Sequence, residues 1–275
     1  MSVPSPGESL TLLNWLIEAG APDALANEAI DRFAPQASPA PRAAPAPKAA
    51  TPPPAMAATK SAAEAVSLST APGAARALAA SCTTLAELKT ALHNFDGCDL
   101  KRLATNTVFA DGSAEARIML IGEAPGRDED AQGVPFVGRA GKLLDVMLGA
   151  INLDRAKVYI TNVLPWRPPQ NRDPSSEEVA ACLPFLQRHI ALLNPELLVL
   201  LGAVSARHVL GTSEGIMRLR GRWDVYQSVS AAGAHAIPVM PTLHPAFLLR
   251  QPIAKRLAWR DLLSISERAH ELGIM

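Results

Sequence analysis

The chain has 275 residues, and its 26 Lys and Arg balance 26 Asp and Glu, so the formal net charge is zero. This balance excludes a strong positive field over the whole surface, although a local basic face is enough for contact with phosphates. Three cysteines are too few and too scattered for a disulfide framework. The first residues contain no secretory signal and no apolar run is long enough to span a bilayer, so we expect a cytoplasmic, monomeric protein without membrane association.

The N-terminal part of the chain divides into two segments by composition. In residues 8–33, apolar residues recur at helical spacing and predict two short helices, so we assign 1–33 to a helical segment. Residues 34–78 are mostly Ala, Pro and Ser, with little that fills a core, and this composition predicts a disordered linker. A globular composition begins at about residue 79 and continues to residue 275.

Within 79–275, apolar runs alternate with amphipathic ones. A capping box formed by Thr84 and Glu87 predicts a helix to about Phe95. Strands are predicted at 117–122, 157–163, 196–201 and 236–240, and helices at 139–151, 176–193, 203–210 and 253–268; Ser175 with Glu178 opens the second of these helices. Apolar strands separated by helices indicate a parallel sheet covered on both faces. We therefore predict an α/β fold, a three-layer α/β/α sandwich with a central parallel four-stranded sheet.

Polar side chains follow the predicted strands at the points where the strands end. Glu123, Glu129 and Phe136 follow the first strand, Asn162 ends the second, and His244 follows the fourth. Because ligands of open parallel sheets bind beyond the carboxyl ends of the strands, we expect these residues to meet at one edge. Two carboxylates, an amide, an imidazole and an aromatic ring suit a flat polar ring such as a nucleobase.

Each of these residues also has an ordinary structural interpretation. The two glutamates are also typical of solvated loops, and Asn162 is typical of a turn. His244 is also compatible with a buried histidine of purely structural role, and Phe136 with a core position. Their convergence on one edge of the sheet favours function. The sequence has no Walker A lysine motif and no G-x-G-x-x-G, so nothing in it supports NTP hydrolysis or dinucleotide binding.

Three sequence blocks carry a resemblance to a known family. The blocks "GEAPGRDEDAQGVPFVGRAGKLLD", "YITNVLPWRPPQNRDPSSEEVAACLPFL" and "PTLHPAFLLRQP" resemble the signature blocks of family 4 uracil-DNA glycosylases, and the similarity covers roughly residues 96–265. The resemblance implies a three-layer α/β/α fold. It also implies a DNA repair enzyme of base excision repair that flips uracil out of DNA and hydrolyses its N-glycosidic bond.

The resemblance implies a role for each candidate site residue. Phe136 would stack on the uracil, Asn162 would bond its Watson–Crick edge, and Ala124 would also contact the base. His244 would donate to uracil O2 and stabilise the leaving anion. The catalytic carboxylates would be Glu123 and Glu129, which would activate water and stabilise the sugar cation; which of them dominates stays open.

The block that contains His244 also implies contacts with DNA. Leu248 and Leu249 would enter the base stack, and Arg250 would contact a phosphate or the gap that the base leaves. The alternative is the start of an ordinary amphipathic helix. Two further basic groups are candidates for phosphate contact or are simply solvated: Lys255, Arg256 and Arg260, and Arg218, Arg220 and Arg222.

The sequence departs from the family at the cysteines. Family 4 enzymes hold a [4Fe–4S] cluster with four cysteines, but here Phe95 and Trp166 stand at two of those positions, and only Cys98 and Cys182 remain. Cys82 lies too far upstream to substitute. Two thiolates do not hold a four-ligand cluster, so we expect no metal and no cofactor, with aromatic packing in its place.

Three alternatives stay open from the sequence. One is a catalytically inactive relative that binds DNA or is associated with replication. Another is a glycosylase for a different base, such as hypoxanthine, xanthine or mispaired thymine. In the third, residues 1–33 bind a partner protein, which is compatible with glycosylase activity.

Overall fold

The computed structural model describes residues 62–230 and 233–275, so the predicted helical segment 1–33 lies outside the described residues. The first described helix, α1 (Ala62–Ser81), overlaps the end of the predicted linker 34–78. Its residues Ala75 and Ala79 are buried in the core, because alanine allows close helix packing even though it fills little space. The folded domain therefore starts before residue 79. No helix in the described part of the chain is both long and apolar enough to cross a bilayer.

The chain then alternates helices and strands. The remaining helices are α2 (Leu85–Asn94), α3 (Leu100–Leu103), α4 (Arg127–Gln132), α5 (Arg139–Gly149), α6 (Ser176–Leu193), α7 (Ala203–Leu210), α8 (Ile216–Leu219), α9 (Pro245–Arg250) and α10 (Lys255–Glu271). The strands are β1 (Asp111–Gly112), β2 (Ile118–Gly122), β3 (Val158–Asn162), β4 (Leu197–Leu201), β5 (Asp224–Ser230) and β6 (Gly233–Thr242). Short 3₁₀ turns occupy Pro169–Asn171 and Pro252–Ala254.

The sheet has six strands in the order β1-β3-β2-β4-β6-β5. The central four, β3, β2, β4 and β6, are parallel, as predicted. The prediction of a four-stranded sheet missed both edges, where β1 and β5 pair antiparallel with β3 and β6. Strand β1 has only two residues, and β5 is polar on alternate positions, so neither shows the continuous apolar run of a buried parallel strand.

Helices cover both faces of the sheet, because alternate residues of each strand point to opposite sides. In β2, Met119 and Ile121 face a core shared with α1, α2 and α6, whereas Ile118 and Leu120 face a core shared with α5 and α10. This arrangement confirms the three-layer α/β/α class. The predicted helices 176–193 and 203–210 match α6 and α7 to the residue.

Local capping signals explain where two helices begin. At α6, the Ser175 hydroxyl accepts from the Glu178 N–H, and the Glu178 carboxylate accepts from the Ser175 N–H, which is the predicted box. At α2, Thr84 caps as predicted, but the Glu87 carboxylate bonds the backbone and hydroxyl of Thr83. The predicted capping box at α2 is therefore only half formed, because the Glu87 carboxylate does not accept from the Thr84 N–H.

Candidate active site

A cavity of about 350 Å³ lies at the carboxyl ends of the central strands. The residues that line it come from the loops after β2, β3 and β6: Glu123, Ala124, Pro125, Gly126, Glu129, Phe136, Ala140, Asn162, Pro168, Asn171, Arg172, Asp173, His244, Ala246 and Arg250. The structure thus brings together the five residues that strand-end reasoning selected, and Ala124 and Arg250 with them.

Phe136 forms the apolar wall of the cavity. Its side chain is 5 % exposed, and its ring lies 5.5 Å from the His244 ring, centroid to centroid. A Cβ on Gly122 would come within 2.7 Å of the Phe136 ring, so only glycine lets the end of β2 approach this closely. The aromatic ring is therefore packed directly against the backbone of the sheet edge.

The backbone of Phe136 is held in an unusual conformation. Its φ of 56° lies in the left-handed region, which is costly for a bulky residue. The Arg155 guanidinium donates to the Phe136 carbonyl and also to the Pro135 carbonyl at 3.3 Å, and the same carbonyl of Phe136 packs against Gly141 of α5. The sequence did not predict a role for Arg155, because Arg155 and Phe136 are 19 residues apart and belong to no common motif.

Asn162 presents an acceptor without a partner. The residue ends β3 and is 6 % exposed, and its Oδ1 is buried and makes no hydrogen bond within the described residues. Val163 and Leu164 donate to the Gly122 and Glu123 carbonyls at 3.0 Å each, which continues the β2–β3 ladder and fixes Asn162 beside Glu123. Because an unpaired buried acceptor is costly, its retention points to a ligand donor.

His244 is a neutral donor held by the start of α9. Its Nδ1 accepts from the Ala246 N–H at 3.1 Å, so the proton of the neutral ring is on Nε2. Burial, assisted by the positive charge of Arg250, lowers the pKa of His244 to about 4. The imidazole is therefore uncharged at neutral pH and has one N–H to offer to a ligand.

Glu123 shares the cavity with a second carboxylate. Burial and the Asp173 charge raise the pKa of the Glu123 carboxyl, and Arg250 opposes this rise. Asp173 is exposed on the loop between β3 and α6, and its carboxylate has no hydrogen-bond partner in the described part of the chain. That loop is fixed by Arg172, which donates to both carboxylate oxygens of Glu178 at 2.5 and 2.9 Å. No sequence motif singled out Asp173.

Glu129 borders the cavity but is occupied by the backbone. One carboxylate oxygen accepts from the Gly138 N–H at 2.9 Å, and the other accepts from the Gly126 N–H at 3.1 Å. Glu129 therefore ties the start of α4 to the loop that carries Phe136. This geometry favours a positioning role for Glu129 and leaves Glu123 as the glutamate of the cavity whose carboxylate is not bound to the backbone of the described residues.

The predicted DNA-contact residues on α9 separate into two groups. Leu248 is 1 % exposed and packs in the core with α10, so its burial does not favour the predicted entry into the base stack, which stays a prediction. Leu249 is half-buried, and Arg250 is exposed at the rim of the cavity. Of the second basic group, Arg220 is bound to buried Asp261 and is not free for phosphate, and Arg222 lies 3.9 Å from Glu214.

The residues at the former cluster positions do not fit an iron–sulfur cluster. Phe95, Cys98, Trp166 and Cys182 are all buried in one core cluster, where the neighbouring Cys182 thiol lowers the pKa of Cys98. The Phe95 ring lies 5.0 Å from the Phe185 ring, and the Trp166 indole donates to Thr107 at 3.0 Å. Across residues 62–230 and 233–275, no group of three or more His, Cys, Asp or Glu is placed to hold a metal ion.

Comparison with known proteins identifies the family. The sequence pattern of the Uracil DNA glycosylase superfamily matches residues 109–263. The chain belongs to this superfamily. It is 38 % identical over 191 residues to the Type-4 uracil-DNA glycosylase of Sulfurisphaera tokodaii, covering 68 % of this chain and 85 % of that protein. It is also 42 % identical over 174 residues to the Type-4 uracil-DNA glycosylase of Archaeoglobus fulgidus, covering 62 % and 85 %.

A third relative is also a Type-4 uracil-DNA glycosylase of similar identity to this chain. The Type-4 uracil-DNA glycosylase of Thermotoga maritima is 42 % identical over 154 residues, covering 56 % of this chain and 77 % of the relative. The matched superfamily region contains every residue that lines the cavity. Residues before 109 fall outside it, including Phe95 and Cys98.

Proposed function

We propose that this protein is a uracil-DNA glycosylase, a hydrolase that removes uracil from DNA in base excision repair. The observation that carries the proposal is the buried, unpartnered Oδ1 of Asn162 in the cavity that Phe136 walls. A base inside a duplex cannot reach such a cavity, so the nucleotide has to be flipped out of the stack.

Asn162 supplies discrimination between bases. Uracil has an N–H at position 3, which Oδ1 accepts, whereas cytosine has an unprotonated nitrogen there and would face this acceptor with a lone pair. Leaving a buried acceptor unpaired costs about 1–3 kcal/mol, so cytosine is disfavoured by roughly tenfold to a hundredfold. Stacking on the Phe136 ring adds affinity that does not depend on base identity, and Ala124 completes the contact with the base.

His244 stabilises the departing base. As the bond between C1′ and N1 breaks, its electron pair moves onto the uracil ring, and negative charge grows on the carbonyl oxygens. The Nε2–H of neutral His244 is free to donate to uracil O2, because Nδ1 is already bonded to the Ala246 N–H. A preorganised donor of this kind is typically worth about 10²–10³ in rate.

Glu123 acts on the sugar and the water. Positive charge builds on the sugar as the bond breaks, and an ionised carboxylate in a partly buried site attracts it strongly. Water then adds to C1′, and Glu123 accepts its proton, which the raised pKa of this carboxyl favours. The uracil anion takes up a proton from solvent, and the products are free uracil and an intact strand with an abasic site.

The proposal requires no cofactor. Bond cleavage rests on side chains of the chain itself, and at the cluster positions Phe95 and Trp166 fill the core that four thiolates would otherwise share. Contact of Leu249 and Arg250 with DNA, a monomeric state, a cytoplasmic location and a protein partner for residues 1–33 stay predictions from the sequence.

The test uses a uracil-containing oligonucleotide, followed by alkali to cut the abasic strand. We expect cleavage by the wild type and strong loss in Asn162→Ala and His244→Ala. His93→Ala and Asn94→Ala are matched controls, because both residues are exposed on α2 and neither lines the cavity. Absence of cleavage by the folded wild type would contradict the proposed function, and excision of hypoxanthine or xanthine in preference to uracil would favour the alternative base.

A further inference from the structure

A buried ion pair adjoins the end of β6, the strand that leads to His244. Asp261 of α10 is buried, and the Arg220 guanidinium donates to both of its carboxylate oxygens, to Oδ2 at 3.0 Å. Thr242, the last residue of β6, is also buried, and its hydroxyl donates to the same Oδ2 at 2.7 Å. Three side chains from three separate segments of the chain therefore meet at one carboxylate.

The backbone around the ion pair fits closely against it. The Arg220 guanidinium also donates to the Leu257 carbonyl of α10 at 2.9 Å, which ties that helix to the segment before β5. Gly221 has a positive φ of 71°, and a Cβ there would lie 2.7 Å from Asp261 Oδ1. The Gly221 N–H donates to the Pro241 carbonyl of β6 at 3.0 Å. The carboxylate, the end of β6 and the segment before β5 are therefore fixed to one another.

The end of β6 is connected to His244 through Gly202. The Gly202 N–H donates to the Thr242 carbonyl at 2.9 Å, and a Cβ on Gly202 would come within 3.0 Å of the His244 Cβ. One buried residue, Leu243, separates Thr242 from His244. The position of the imidazole is therefore set by the strand end on one side and by the Ala246 N–H, which donates to Nδ1, on the other.

We propose that the Asp261 carboxylate fixes Thr242 at the end of β6 and thereby positions His244 for donation to the departing uracil. The inference rests on the proposed function. A buried ion pair is often no more stable than apolar side chains of similar volume, so its presence here favours a role in fixing geometry. A displacement of about 1 Å at a reacting centre can cost about 10²-fold in rate, and the Nε2–H of His244 has to reach one uracil oxygen. Asp261 and Thr242 are positioning residues, since neither lines the cavity.

The experiment compares uracil with 5-fluorouracil as the departing base in the same oligonucleotide. The fluorine stabilises negative charge on the ring, so release of 5-fluorouracil depends less on a donor at O2. Thr242→Val removes the hydroxyl and leaves the ion pair intact. We expect it to slow single-turnover release of uracil by about tenfold or more, and release of 5-fluorouracil by about threefold or less. Thr242→Ser keeps the hydroxyl and should keep both rates.

A double-mutant cycle tests whether the effect passes through the imidazole. In a His244→Ala background, Thr242→Val should slow uracil release by no more than about twofold, because the donor that Thr242 positions is already lost. Thr161→Val is the matched control, since it removes a buried threonine hydroxyl of β3 that donates to the Phe109 carbonyl at 2.7 Å. This control should keep the wild-type ratio of the two release rates. All rates are measured below the Tm of each variant, and Thr242→Ala removes the same hydroxyl if the valine variant does not fold.

The outcomes separate the two proposals. If the wild type releases neither base, the proposed function fails and this inference fails with it. If the wild type is active and Thr242→Val matches it, or slows the release of both bases by the same factor, the positioning role is overturned. A larger loss for uracil than for 5-fluorouracil, which disappears in the His244→Ala background, supports it.

Discussion

Replacement of Arg155 by alanine tests how the aromatic wall of the cavity is held in place. Arg155 lies outside the cavity and contacts the Phe136 carbonyl, the Pro135 carbonyl at 3.3 Å, Asp111 at 2.6 Å and Asp145 at 2.8 Å. We expect the substitution to release Phe136 from its left-handed conformation, because the donor that fixes its carbonyl is lost. The ring then no longer lies at the position where the base is expected.

The expected loss of stability has three contributions, and the expected loss of rate has one. A bulky residue with positive φ stores about 1–3 kcal/mol, and a hydrogen bond from a charged donor contributes about 1.5–3 kcal/mol. The partly exposed ion pairs with Asp111 and Asp145 add about 0–1 kcal/mol each. Relief of strain offsets part of the loss, so we expect a decrease of about 2 kcal/mol in the free energy of unfolding, or about 4–8 °C in Tm. Loss of base stacking, at about 1–3 kcal/mol, should lower the excision rate by roughly tenfold to a hundredfold.

The assay measures single-turnover uracil release and Tm on the same preparations. Arg117→Ala is the matched control, because Arg117 pairs with Glu196 at 2.5 Å and donates to the Gly273 carbonyl at 2.9 Å, and it does not line the cavity. The control should lose stability but keep its excision rate well below Tm. Full activity of Arg155→Ala at that temperature, or equal loss of activity in Arg117→Ala, would refute the reasoning.

Three further predictions concern pH, salt and iron. Asp173→Asn removes a like charge that raises the pKa of Glu123, so the acid limb of the pH–rate profile should move to lower pH; an unchanged limb would mean that the two carboxylates are not coupled. For binding to duplex DNA, Arg256→Ala should reduce the slope of the logarithm of the association constant against the logarithm of the salt concentration by about one. An unaltered slope would show that Arg256 does not contact a phosphate. Cys98→Ser should leave uracil release and metal content unchanged, whereas a brown wild-type protein with bound iron that this substitution bleaches would contradict cofactor independence.

The protonation of His244 has its own consequence for stability. Its folded pKa of about 4 lies below the ordinary value of a histidine, so the unfolded chain binds more protons between these two values. The contribution of this residue to stability is therefore complete above about pH 6.5 and is lost as the pH falls toward 4. We expect His244→Gln to flatten the pH dependence of Tm over this interval, and an identical profile would show that the histidine is not buried as a neutral ring.

The parts of the site that follow from local sequence were predictable. Asn162 ends one apolar strand and Glu123 follows another, and the topology of a parallel sheet brings such strand ends together without knowledge of side-chain packing. The central strands and α6 were found because their apolar runs and caps are local signals. The role of Glu129 was not predictable, since its two bonds to backbone N–H groups depend on the fold of the whole loop.

Two kinds of feature could not be predicted from the sequence. One is a contact between residues far apart in the chain, and the other is which of two adjacent leucines is buried. Arg155 reaches a carbonyl 19 residues away, and no pattern in the sequence marks such a pair. Leu248 and Leu249 are neighbours on a six-residue helix, and successive positions point about 100° apart, so composition does not tell which one is buried.

A crystal structure with duplex DNA that carries 2′-fluoro-2′-deoxyuridine tests the central claim most directly, because the fluorine disfavours positive charge on the sugar and slows cleavage. The account predicts a uracil ring outside the helix, on the face of Phe136, with N3–H donating to Asn162 Oδ1. A uracil that stays paired in the duplex, or that enters the cavity without contact to Asn162, would contradict it.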